Sequence, residues 1–134
     1  MSNRRYLIEA NAQDISQRFH EMLRLLELTG FTLQQRGATE FAGVAVLSGG
    51  QGRLRAVICG SRREERYEIT LDLLDPPDRH VPERECDAVA LGIAELVAKA
   101  LGHNVEVRYL GSIAGAQSFR APKGEVRVRR ALCG

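Results

Sequence analysis

Tryptophan is absent from this chain, aromatic residues make up 5% of it, and of its 19 basic residues only Lys99 and Lys123 are lysines. The aromatic shortage argues against the stacking platform with which single-strand binders hold exposed bases. The two lysines lie in VAKA and PKG, so there is no G-x-x-x-x-G-K-[ST] loop to cradle a triphosphate. Arginine does nearly all the basic work, a bias expected of a GC-rich bacterial or phage genome. Three cysteines, Cys59, Cys86 and Cys133, form no C-x-x-C pair, which argues against a disulfide framework or zinc ribbon and fits reduced thiols in a cytoplasmic protein. No apolar run reaches the roughly 18–20 residues that span a bilayer, and Met1–Tyr6 is polar, so neither membrane contact nor export is expected. With 4 prolines and no long polar tract there is no sign of a linker. What remains is an ordinary globular composition, 44% hydrophobic and 27% charged, and the expectation of a single α+β domain over residues 1–134.

Charge is nearly balanced at +2 but unevenly spread: residues 1–67 sum to +3, residues 68–107 to −6 and residues 108–134 to +5. An acidic middle and a basic tail can meet different partners or each other.

Apolar periodicity gives the elements. Arg5–Ala10 reads as a strand. Ile15, Phe19, Met22, Leu23 and Leu26 then fall on one helical face, with Asn11 and Asp14 resembling a capping box and Gly30 as the stop. Four strands follow, Phe31–Gln35, Phe41–Leu47, Leu54–Cys59 and Arg66–Leu74. The last alternates strictly, whereas Phe41–Leu47 is apolar on both faces, which suits a central strand covered more fully. A second helix is expected over Pro82–Leu101, with Pro82 near its first turn. Its core stripe is Cys86, Val89, Ala90, Ile93, Val97 and Leu101, and a second strip of Ala88, Leu91, Gly92, Ala94 and Ala98 offers a homodimer contact. Strands at Val105–Leu110, around Phe119 and at Glu125–Ala131 complete the order β-α-β-β-β-β-α-β-β-β. This describes a largely antiparallel sheet of six to eight strands with both helices on one face.

One pentapeptide points elsewhere. LSGGQ at Leu47–Gln51 resembles the nucleotide-sandwiching loop of ABC-transporter ATPases, and ITLDLLDPPD at Ile69–Asp78, followed by His80, is similar to that family's strand with its magnesium-binding Asp and catalytic Glu. The resemblance implies ATP hydrolysis. Against it, the phosphate loop is missing, Pro76 stands where the catalytic Glu belongs, and β-branched runs flank the glycines where the family has a helix. Ser48–Gly52 therefore reads as a hairpin turn.

The other constellations are weaker. Asp78, His80, Glu83, Glu85 and Cys86 are the densest group of metal or acid–base candidates, yet their spacing suits a solvated helix entrance better than a metal site. No metal, cofactor or catalytic residue is expected. Arg53, Arg55, Arg108, Arg127, Arg129 and Arg130 alternate with inward apolar residues and are the candidate interaction surface. The leading expectation is a small non-enzymatic module that binds another protein: an adaptor, chaperone-like subunit, inhibitor or assembly component. Nucleic-acid binding through the arginines is the alternative. A small enzyme acting on a phosphorylated or nucleotide ligand near GSIAGAQS, Gly111–Ser118, is a third reading.

Overall fold

The strict alternation of Arg66–Leu74 is satisfied in the computed structural model, which describes residues 3–49, 52–76, 78–113 and 128–131. Tyr67, Ile69, Leu71 and Leu73 are buried, while Glu68, Thr70, Asp72 and Leu74 lie half-buried on the opposite face. The described elements are β1 (Asn3–Asn11), α1 (Ile15–Thr29), β2 (Thr32–Gln35), β3 (Phe41–Gly49), β4 (Gly52–Arg63), β5 (Arg66–Leu74), α2 (Glu83–Leu101), β6 (Val105–Ile113) and β7 (Val128–Ala131). The strands form one sheet in the order β2-β3-β4-β5-β1-β6-β7, with every neighbouring pair antiparallel. The expected α+β class is correct. The strand expected around Phe119, the Gly111–Ser118 loop beyond Ile113, Arg127 and Cys133 lie outside the described residues.

Both helices cover the same face because each has one apolar stripe to bury. Ile15, Phe19, Met22 and Leu26 of α1 and Cys86, Ala90, Ile93, Val97 and Leu101 of α2 join Ile8, Ile58, Ile69 and Leu71 of the sheet in one core. Phe19 packs against Phe41 with ring centroids 6.1 Å apart. The Phe41 ring in turn lies over Gly60, its cross-strand partner, where a Cβ would come within 2.3 Å of Phe41 Cε1 and 2.8 Å of the Tyr67 hydroxyl. That hydroxyl donates to the Thr39 carbonyl at 2.7 Å.

Three local expectations need correction. Asn11 does not open a capping box, because it is still the last residue of β1, paired with Arg66. Its Oδ1 instead accepts from the Gln13 N–H at 2.7 Å, turning the chain out of the sheet, and Asp14 takes a left-handed φ of 67° before the helix begins at Ile15. Pro82 is the N-cap of α2 rather than its first helical residue; its ψ of 148° is still extended. Gly30 and Gly102 do terminate their helices with positive φ. Third, β3 is not a central, more fully covered strand. It is the second strand from an edge, and its outward side is bare.

The described part of LSGGQ is a strand end. Leu47, Ser48 and Gly49 finish β3, and Gly49 pairs with Gly52 at the start of the antiparallel β4; Gly50 and Gln51 of the expected turn lie outside the described residues.

Candidate functional site

The face of the sheet away from the helices has two halves of different chemistry. On β5, β1 and β6 the outward side chains neutralise one another. Arg5 grips Asp72 through Nε at 2.7 Å and Nη2 at 2.9 Å, a bidentate pair that holds the guanidinium above its ordinary value. Register then sets Glu68, Glu9 and Glu106 side by side across three strands, an arrangement of like charges that is unfavourable alone. Arginines relieve it: Arg108 donates to Glu9, Arg66 Nη2 lies 3.8 Å from Glu9, and Arg63 Nε lies 3.7 Å from Glu68. Glu9 is only 8% exposed, so these partners matter more than surface pairs would.

The β3–β4 half is different. Of the large apolar side chains left exposed among the described residues, three stand together here: Val44 at 55%, Val46 at 56% and Val57 at 38%. Val44 pairs with Val57, Val46 with Arg55, and Ser48 with Arg53. Arg53 and Arg55 are exposed and make no ion pair among the described residues. A shallow depression of about 400 Å³ runs over Thr32, Val44, Val46, Arg55, Val57 and Leu74. A second groove, of about 540 Å³, lies beside the sheet between Val46–Ser48 of β3, Thr29 at the end of α1, and Val89, Ile93 and Leu96 of α2.

The candidate arginines are therefore not gathered. Arg53 and Arg55 lie on β4; Arg108 lies on β6, three strand spacings away, about 14 Å, and is engaged with Glu9. Arg130 occupies the register position opposite Glu106 and Arg129 that opposite Val107. Sequence reasoning missed Val44, Val46 and Val57 as site residues, although the signal was there: a strand apolar on both faces needs a cover for each, and this fold supplies only one.

The acid–base group at the start of α2 disperses as well. His80 Nδ1 sits 3.0 Å from Oδ2 of Asp75, a buried carboxylate outside that group, and the Val81 N–H donates to the other oxygen at 3.4 Å. Cys86 is buried beneath α2, where desolvation pushes its thiol up. Tyr6, also buried, donates to Asp87 at 2.6 Å; burial and then this bond raise its phenol far above the ordinary range. Among the described residues no group of three or more His, Cys, Asp or Glu side chains converges as metal ligands would. Cys59 is exposed on the open face beside Ala42 and Thr70, on strands that carry no histidine to activate it. No described helix is long and apolar enough to cross a membrane. What the β3–β4 surface can do chemically is bury apolar area and pair with negative charge. No protein-family model, curated protein or solved structure matches this chain.

Proposed function

We propose that this chain is a small non-enzymatic protein-recognition module, an adaptor, chaperone-like subunit, inhibitor or assembly component of bacterial or phage cytoplasm, whose docking surface is the β3–β4 half of its open face. The carrying observation is the cluster of Val44, Val46 and Val57 beside Arg53 and Arg55, which make no ion pair among the described residues. Single exposed valines mean little, but a contiguous apolar patch rimmed by arginine has the make-up of an interface centre. The ion-paired half of the same face, by contrast, has already spent its charges within the chain. A homodimer through α2 draws less support, since Ala94 and Ala98 of its second strip are consumed by packing inside the chain.

The test is capture of partners from the native host by the full chain and by a Val44→Asp, Val57→Asp double variant whose far-UV spectrum matches the parent. A protein captured by the parent in the presence of nuclease and lost from the variant supports the reading. Capture that depends on nucleic acid, or that ignores the two aspartates, overturns it.

A further inference from the structure

We infer that the partner is taken up by strand addition: an extended segment alternating apolar and acidic residues pairs with the free edge of β3 at Val46–Ser48. The inference rests on the protein-recognition reading and specifies how that surface is used.

The edge is free because β2 is short. Its four residues cover β3 only from Phe41 to Val44, and β3 continues to Gly49. Hydrogen-bond alternation tells which main-chain groups are left over. The Arg36 N–H donates to the Glu40 carbonyl at 2.7 Å, so Glu40 faces β2, and every second residue onward, Ala42, Val44, Val46 and Ser48, turns its N–H and C=O the same way. Among the described residues no strand pairs with Val46 or Ser48 on that side. Edges of this kind are commonly blunted by lysine, proline or a bulge; Ala45–Ser48 has no lysine or proline, and its pairing with β4 is unbroken.

The space beyond the edge suits a strand. The 540 Å³ groove there has Leu47, Val89, Ile93 and Leu96 toward the helix side, so inward residues of an added strand would meet an apolar wall. Outward residues would lie beside Val46 and Ser48, whose partners across β3–β4 are Arg55 and Arg53. Two strand spacings, roughly 10 Å, separate the added backbone from β4, a gap that an arginine and a glutamate side chain span together over a valine or serine. Charge then selects the occupant. A second copy offers no acid in its own Ala45–Ser48 edge and brings two more exposed arginines, so self-pairing is disfavoured. An acidic segment of another protein complements the site on both faces.

The probe is a capped ten-residue peptide of alternating valine and glutamate, with a valine–lysine peptide of the same length as its counterpart, titrated into the full chain by calorimetry and followed by amide exchange. The glutamate peptide is expected to bind, the lysine peptide about tenfold more weakly or not at all, and the Val46 and Ser48 amides to exchange about tenfold more slowly in the complex. Replacing Arg53 and Arg55 by Glu should invert the preference between the two peptides. Absence of binding at about 1 mM peptide, binding without protection of those two amides, or equal affinity for both peptides overturns strand addition. If it fails while the Val44→Asp, Val57→Asp variant still loses its captured partner, the docking face stands and only the edge is refuted; if both fail, the recognition reading falls too.

Discussion

Gly60→Ala is the sharpest test of the packing beneath the proposed surface. The new Cβ would sit 2.3 Å from Phe41 Cε1 and 2.8 Å from the Tyr67 hydroxyl. Phe41 is buried and packed at a tilt against Phe19, so its ring sits in a close-packed interior that resists a shift. Forcing it off its rotamer costs about 0.5–1.5 kcal/mol, and displacing the Tyr67 hydroxyl from Thr39 costs a further 0.5–1.5 kcal/mol or so. Lower chain entropy in the unfolded state returns about 0.5–1 kcal/mol. The net expectation is a loss of roughly 0–2.5 kcal/mol, overlapping the usual range for overpacking. Urea unfolding followed by far-UV circular dichroism measures it, with the m-value as the check that the unfolded state is unchanged. The decisive comparison is Gly60→Ala in a Phe41→Leu background, which lacks the Cε1 atom. There only the Tyr67 displacement remains, largely offset by the entropy gain, so the alanine should be close to neutral and the coupling roughly 0.5–1.5 kcal/mol. Equal losses in the two backgrounds would refute the argument that Phe41 is what demands glycine.

Stability should fall above pH 9. Cys86, Tyr6 and Tyr67 all have raised pKa values through burial, against ordinary values of 9.0, 10.0 and 10.0. The unfolded chain therefore releases these protons first, and stability present below those ordinary values is lost as pH rises through and beyond them, at up to about 1.4 kcal/mol per pH unit for each group. Urea melts between pH 8 and 11 should show this slope, and Tyr67→Phe should flatten it; a slope unchanged by that substitution would remove Tyr67 from the account. Arg108→Met should destabilise by about 1–3 kcal/mol, since it deprives the Glu9 carboxylate of a partner between two other glutamates, and adding Glu9→Gln should recover much of the loss. Asn11→Ala should cost about 0.5–1.5 kcal/mol by removing the turn that leads into α1, whereas Val46→Thr should change stability by less than about 0.5 kcal/mol because that side chain stands in water; both follow from thermal or urea melts.

Much of this architecture was legible in the sequence because it rests on local periodicity. The stripe of Ile15, Phe19, Met22 and Leu26, the alternation from Tyr67 to Leu73, and the stops at Gly30 and Gly102 follow from which side chains must leave water. What could not be read is anything that depends on strand neighbours. Nothing near Asn3–Asn11 shows that it lies between β5 and β6, so the burial of Glu9 and its engagement with Arg108 were invisible. The same gap misplaced β3: Val44 and Val46 looked like residues of a more fully covered strand, and only the sheet order leaves them bare. The arginines were legible as a set but not as a layout, because register, not spacing, separates Arg53 and Arg55 from Arg108.

The position of β1 has a kinetic consequence. Asn3 stands opposite both Leu74 and Ile113, so β1 acquires its second neighbour only after all of the chain between them has been synthesised. Pairings of such long sequence separation require closing large loops before they return any stabilisation, which places this fold among slow-folding topologies. Until β6 arrives, one flank of β1 is a naked backbone edge, and the nascent protein is most prone to aggregation in that interval.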